Sequence, residues 1–230
     1  MRLLTLEGHT FAGDLIGPDD VVVDLGAHVG GFSRQVADRF TCRIIGLDPD
    51  PKYFNEIPQI PNATFLNKAI GKTSGRLILN SGRKFCSSVR YRQANTAEIG
   101  VDAIGLKQLL DEFNVTVGAL LKIDIEGFEL ELLCAENIES LKRFTQVTVE
   151  FHDFLHPEDR PDIDRAVRLM KAHGFMVIQF SYFNCADVLF LDKRQFDAPA
   201  LTWARLTCLK YARGIKRRLK KTFGLREVPR

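Results

Sequence analysis

Residues 21–33 read VVVDLGAHVGGFS, and few folds accommodate such a segment. Val21–Leu25 is a short β-branched run that stops at glycine, the pattern of a buried strand. Gly30–Phe40 (GGFSRQVADRF) then carries apolar residues at helical spacing, Phe32, Val36 and Phe40. The same alternation repeats downstream. Arg43–Leu47 (RIIGL) is a second strand, stopped by Asp48-Pro49, and Ala63–Leu66 is a third. Strands alternating with helices imply βαβ units and a parallel sheet. The crossovers are right-handed, so helices are expected on both faces.

The pattern breaks over residues 71–100. Arg76–Leu79 (RLIL) reads as an added strand. Ser81–Asn95 is polar, with Arg83, Lys84, Arg90 and Arg92 around Ser87-Ser88, and reads as a long loop. Long loops in compact domains often serve as lids or binding loops; Ser87 and Ser88 either contact a ligand there or belong to an ordinary polar loop. Regularity resumes with a helix at Leu106–Phe113, a strand at Ala119–Ile125 (ALLKIDI), a helix from Phe128 to Cys134 and a strand at Gln146–Phe151. Asp162–His173 is a helix stopped by Gly174, a suitable residue after a helix end. Phe175–Phe180 and Val188–Leu191, on either side of Asn184, read as a closing β-hairpin.

The glycine turn lies at the carboxyl edge of the sheet, where open α/β folds bind ligands. Asp48 ends the next strand, 22 residues after Gly26, where a carboxylate can accept hydrogen bonds from both hydroxyls of a ribose. The pair implies a nucleoside-containing ligand. NAD requires G-x-G-x-x-G and a helix N-terminus aimed at a pyrophosphate. Here the spacing is Gly26-x-x-x-Gly30-Gly31, and Asp24 precedes it. An acid there repels a pyrophosphate, but it can orient the loop and meet the positive amino-acid end of S-adenosylmethionine (SAM). The residues therefore favour SAM over NAD(P) or a purely structural turn.

Four segments carry a resemblance: VVDLGAHVGGFS (22–33), GLDPDP (46–51), NKAIG (67–71) and LLKIDIEGFELELL (120–133). In this order they resemble the FkbM-type family of SAM-dependent methyltransferases, over residues 21 to about 155. The K-I-D-I-E-G-x-E stretch is the most specific of them. One departure is Asp48-Pro49, where the family more often has Glu-Pro; a ribose-binding carboxylate survives that change. The resemblance implies a Rossmann-like class I methyltransferase fold, a doubly wound, mostly parallel seven-stranded α/β sheet with an antiparallel last strand. It further implies O-methylation of a hydroxyl on a glycan, lipid-linked sugar or secondary metabolite.

On this reading Asp24, Gly26, Ala27 and Gly30 shape the methionine side of a SAM pocket, and Asp48 and Pro49 hold the ribose side. Lys122, Asp124 and Glu126 share one side of the fourth strand if it stays extended. Charges in a central strand are costly unless paired, so Lys122 and Asp124 form a structural pair, or Asp124 and Glu126 face the methyl group and the acceptor. Asp124 is then the first choice for a base or acceptor-orienting group. Glu150, His152, Asp153 and His156 cluster at the end of the following strand. His152 is placed with Asp124 and Glu126 as catalytic, since its ordinary pKa near 6.5 suits a base; His152 and His156 are otherwise plain loop histidines. His28 is expected to point to solvent or pack locally. Histidine and carboxylates suit a metal, but the resemblance implies none, and none is expected.

The net charge of +3 conceals an asymmetry. Residues 205–230 carry ten Lys/Arg and one Asp/Glu, leaving the rest of the chain at net −6. The chain is therefore divided into a methyltransferase domain, residues 1–200, and a basic tail, residues 201–230. Cys208, Ala212, Ile215, Leu219 and Phe223 recur at helical spacing among the basic residues, with Trp203 just before them. Three readings stay open for this tail: a packed helix with a solvated basic face, contact with an anionic membrane surface, and nucleic acid, which lacks the aromatic interleaving of an RNA-binding module. A nucleic-acid methyltransferase and a non-catalytic protein docking through its tail remain the alternatives to a small-molecule or glycan enzyme; no N-P-P-Y-type motif supports the former. The five cysteines are scattered and form no C-x-x-C pair, so reduced thiols are expected. No apolar run approaches the roughly 20 residues of a membrane span, and the N-terminus lacks a secretory apolar core. A cytoplasmic protein is the expectation, peripheral to the inner membrane surface if the basic tail makes the membrane contact.

Overall fold

The computed structural model describes residues 1–81, 97–181 and 184–194. The basic tail, Ser87-Ser88, Cys86 and Cys208 lie outside the described residues. Along the chain come β1 (Leu3–Leu6), β2 (His9–Ala12), β3 (Val21–Leu25), α1 (Gly31–Ala37), β4 (Arg43–Leu47), α2 (Pro51–Phe54), β5 (Ala63–Leu66), β6 (Ala69–Gly71), β7 (Gly75–Ser81) and β8 (Ala97–Gly105). Then follow α3 (Leu106–Glu112), β9 (Gly118–Ile123), α4 (Glu129–Leu132), α5 (Ile138–Leu141), β10 (Phe144–Val149), α6 (Arg160–Ala172), β11 (Phe175–Gln179) and β12 (Val188–Asp192).

The main sheet has seven strands in the order β11-β12-β10-β9-β3-β4-β5. β10, β9, β3, β4 and β5 run parallel, while β12 is antiparallel to both β10 and β11. The mostly parallel seven-stranded sheet with an antiparallel last strand is thus present, and that last strand is inserted next to the edge. The chain winds outward from β3 to β5, then returns to β9 on the other side of β3. The order reverses at β3/β9, which is where an open α/β sheet holds its ligand, beyond the carboxyl ends of the strands.

Every residue of β9 is buried, and so are four of the five in β3. The register sorts them between two cores. Val22, Ile44 and Leu120 align across the sheet and pack against one face. Val23, Ile45 and Leu121 align on the other. The second face is covered by α3, α5 and α6, through Leu109, Leu141 and Met170 among others. The first is covered by α1 and, unexpectedly, by the β1–β2 hairpin, with Phe11 wholly buried. Helices thus cover both faces, as expected, and the hairpin adds to α1 on the first.

That hairpin turns on Glu7-Gly8, with φ of 44° and 88°. Positive φ at both central residues is the tight turn whose twist matches two antiparallel strands. Side chains bolt it to the sheet: Gln146 on β10 accepts from the Ala12 N–H (2.8 Å) and donates to its carbonyl (3.0 Å), and Asp187 accepts from the Thr10 N–H and hydroxyl (2.9 and 2.6 Å). A second sheet, β6-β8-β7, is built from residues 69–105. β7 extends the strand expected at residues 76–79; β8, a nine-residue strand, was not anticipated.

Candidate functional site

The carboxyl ends of β3, β4 and β9 open onto one cavity of about 540 Å³, within the range of small-molecule clefts. Gly26, Ala27 and His28 come from the β3 end, Asp48 and Pro49 from β4, and Lys122, Asp124 and Glu126 from β9. Glu7 reaches it from the hairpin, and Ala69, Ile70 and Leu79 from the second sheet. Of the residues singled out from the sequence for the cofactor, Asp24 and Gly30 do not line this cavity. Asp24 is wholly buried; it accepts from the Ser33 hydroxyl (2.7 Å) and pairs with Lys122 (3.0 Å). It therefore acts on the cleft through the loop it braces, not by facing a ligand. Gly30 caps α1 and packs towards Ile57 and Ile60.

Gly26 is required for a reason the sequence did not reveal. Its φ is +79°, and a Cβ there would lie 1.7 Å from the backbone oxygen of Asp124. The neighbouring strand's own exit, rather than a ligand, occupies the space. The loop is held to β4 by Gly26 and Ala27 N–H donation to the Leu47 carbonyl (3.0 and 2.8 Å).

Asp48 is 7% exposed, and its two carboxylate oxygens accept from the backbone N–H of His28 (2.7 Å) and Asp50 (3.0 Å). Burial nevertheless pushes the carboxyl up to about 7, and these two N–H bonds only partly oppose it. The His28 ring is exposed and lies 4.1 Å from that of Tyr53, so it packs locally as expected.

At the end of β9, Lys122 is buried and reaches four groups: the Asp24 carboxylate, the carbonyls of Gly26 (2.5 Å) and Leu25 (3.3 Å) and, at 3.6 Å, Asp124. The pairing anticipated with Asp124 is thus secondary to the one with Asp24. Burial disfavours the ammonium, but the charges of Asp24 and Asp124 outweigh that and hold its pKa above the ordinary value. β9 does not stay extended: it ends at Ile123, and Glu126 takes φ +53°, followed by Gly127 at +98°. This turn carries the Glu126 carboxylate to His152 Nε2 (3.2 Å).

Glu129, part of the K-I-D-I-E-G-x-E stretch but given no role from sequence, holds the turn together. It is buried, and its Oε1 accepts from the N–H of Ile125 (3.2 Å) and Gly127 (3.1 Å) and lies 3.1 Å from His152 Nδ1. Burial disfavours charge on His152, yet Glu126 and Glu129 outweigh it and push the imidazole up to about 11. Both ring nitrogens of His152 thus lie beside carboxylates that favour its charged form. At Asp124 burial opposes ionisation, but Lys122, His9 and His152 outweigh burial and hold its carboxyl well below the usual range.

Of the four residues expected to cluster after β10, Glu150 and His152 reach the site. Glu150 is pushed up to about 7 by burial, then by the charge of Asp124. Asp153 instead accepts from the Cys185 N–H (2.8 Å) and pairs with Arg160 (3.1 Å), and His156 pairs with Glu158 (3.2 Å). The residue that sequence reasoning missed is His9, fully buried at the start of β2, with Nε2 at 3.5 Å from Asp124 and 4.0 Å from Glu150. Its only sequence signal was Glu7-Gly8 between two apolar alternations, which marks a hairpin.

No helix among the described residues is long and apolar enough to cross a membrane. Three solved structures are similar in outline. Precorrin-6y C5,15-methyltransferase from Geobacter metallireducens shares 16% identity over 75% of this chain and 78% of its own, with a TM-score of 0.39. Fibrillarin from Methanococcus jannaschii, a pre-rRNA processing protein, shares 14% over 82% and 69%, with a TM-score of 0.45. Fibrillarin from Aeropyrum pernix, with natively bound SAM, shares 10% over 76% and 66%, with a TM-score of 0.43. No curated protein sequence matches the chain. The profile of the FkbM methyltransferase domain matches residues 24–177, a span running from the acid of the glycine loop to β11. On that match, which takes in well over half of its length, the chain belongs to the FkbM methyltransferase family.

Proposed function

We propose that this protein transfers a methyl group from SAM to a hydroxyl of a glycan, lipid-linked sugar or secondary metabolite. The observation that carries the reading is the division of one cleft into two ends. At one, Asp48 is a buried carboxylate set in backbone N–H groups, with Pro49 beside it. At the other, Asp124 and Glu126 present carboxylates to the cavity.

The chain's own residues fit SAM in this cleft. Asp48 would accept from the ribose hydroxyls, while Gly26 and Ala27, braced through Asp24 and Lys122, would border the amino-acid end. When bound, SAM supplies a methyl group on a sulfonium sulfur; its transfer to a hydroxyl leaves a neutral thioether and releases one proton. Asp124 and Glu126, positioned by Lys122 and His152, accept hydrogen bonds from the acceptor and set its direction, the main protein contribution to an in-line displacement. Beside His152, Phe154 and Leu155 are exposed and offer an apolar lip to the acceptor. The basic residues 205–230 fit an acceptor carried on an anionic membrane surface.

Calorimetric titration with S-adenosylhomocysteine, with NADH in parallel, tests the cofactor. Saturable binding of the first alone supports the reading; a folded protein that binds neither sinks it. For the acceptor end, Asp124→Asn is expected to lower turnover with little change in affinity for S-adenosylhomocysteine.

A further inference from the structure

His9 poses a problem that the methyl-transfer reading leaves unsolved. Its ring is wholly buried, and among the described residues neither Nδ1 nor Nε2 has a hydrogen-bond partner. A buried polar group without a partner is costly. The ring is also aimed. Nε2 points into a gap bounded by Asp124 Oδ2 at 3.5 Å and Glu150 Oε2 at 4.0 Å. In the Nδ1–H tautomer that nitrogen turns a lone pair towards two carboxyl groups, an arrangement that a cation between them would satisfy.

The three donor atoms lie within 4.8 Å of one another. Ligand bonds of about 2.0–2.2 Å place neighbouring ligands about 3 Å apart and opposite ones about 4.3 Å apart. The two distances from His9 fall inside those limits. The local charge is acidic as well: among the described residues Asp24, Asp124, Glu126, Glu129 and Glu150 gather around Lys122, His9 and His152. Lys122 approaches Asp124 Oδ2 only to 3.6 Å and makes its shorter contacts to Asp24 and to the Gly26 carbonyl. Nor does His152 compete as a ligand, because its nitrogens are engaged by Glu126 and Glu129. Asp124 and Glu150 are each a quarter exposed, so an ion and its remaining waters can enter from the cleft.

We propose that His9, Asp124 and Glu150 form a binding site for a divalent first-row cation at the acceptor end of the cleft. One imidazole and two carboxylates suit Mn²⁺ or a neighbouring ion better than the all-oxygen preference of Mg²⁺. An ion there would bind the acceptor hydroxyl and lower its pKa. The proposal rests on the methyltransferase reading for that role but not for the site itself, and it departs from the absence of metal expected from sequence.

Mn²⁺ binding to the full chain, followed by electron paramagnetic resonance of the free ion, tests the site. The wild type is expected to bind about one equivalent, and both His9→Ala and Glu150→Gln to weaken binding at least about tenfold, the scale expected when a ligand set is broken. Glu150→Gln sits at the partly exposed edge and keeps the test valid if His9→Ala does not fold. S-adenosylhomocysteine is titrated alongside. No Mn²⁺ binding, or equal binding by wild type and Glu150→Gln, overturns the metal site; with S-adenosylhomocysteine still bound, the acceptor's proton then passes to Glu150 directly. Mn²⁺ bound by His9, Asp124 and Glu150 with no S-adenosylhomocysteine binding upholds the site and removes the methyltransferase reading instead.

Discussion

Replacing Asp48 by Asn keeps the shape of the side chain and removes its charge. In the structure both carboxylate oxygens are already occupied by the N–H groups of His28 and Asp50, at 2.7 and 3.0 Å. An amide has one oxygen for those two donors, so it cannot keep this arrangement and still receive a ribose. A hydrogen bond to a charged group contributes about 1.5–3 kcal/mol, so losing one raises the Kd for S-adenosylhomocysteine by roughly 10- to 150-fold. The elevated pKa supplies a second, independent signature. Ribose hydroxyls donate to the ionised carboxylate. With the group titrating at about 7, its ionised fraction falls about tenfold between pH 8 and pH 6, and affinity falls with it. In Asp48→Asn that part of the pH dependence disappears. Stability runs the other way. A carboxyl raised by folding stabilises the fold below its ordinary pKa, and that contribution is lost as pH rises towards 7. Unliganded Asp48→Asn should therefore melt no lower than wild type at pH 8. Calorimetry at pH 6, 7 and 8, with melting curves beside it, measures all three. Unchanged affinity together with flat pH dependence in the wild type would refute the ribose assignment.

Three further outcomes follow from the same geometry. Gly26→Ala should destabilise by several kcal/mol or abolish soluble expression, because its Cβ would meet the Asp124 carbonyl at 1.7 Å in a left-handed backbone; a wild-type melting curve would contradict this. Lys122→Met should cost about 3–5 kcal/mol in urea unfolding by leaving Asp24 buried without its countercharge, and adding Asp24→Asn should recover part of that loss. Gln146→Leu strips partners from the buried N–H and carbonyl of Ala12 and should cost about 2–5 kcal/mol. Amide hydrogen exchange should rise first in residues 3–12, and uniform protection there would rule out the bolt.

How much could be read in advance differs by range of interaction. Val21–Leu25, Arg43–Leu47 and Ala63–Leu66 have in the structure the bounds that periodicity assigns them, because short, mostly apolar runs and the turn residues at their ends are local signals, even though Ala63–Leu66 forms the sheet edge and Asp24 is a charge inside β3. β8 escaped because Ala97–Gly105 (AEIGVDAIG) mixes charge and glycine with apolar residues, as a strand in a small outer sheet is free to do.

The site divides along the same line. Asp48 and the glycine loop are legible because a strand, its turn and the next strand lie close in sequence. Asp24 was legible as an acid at the right place, but its partners, Ser33 nine residues on and Lys122 ninety-eight residues on, exist only once β3 and β9 lie side by side. Charge states are the least legible of all. His152 reads as a base from its type alone, but a left-handed turn at Glu126 and the buried Glu129 deliver two carboxylates to its ring and raise its pKa. His9 joined the cleft because Gln146 and Asp187, more than 130 residues downstream, hold a hairpin against the sheet. Local pattern specifies strands, turns and a nucleoside-type loop; which side chains share a low-dielectric gap, and hence which carry charge, depends on contacts between segments that no spacing rule connects.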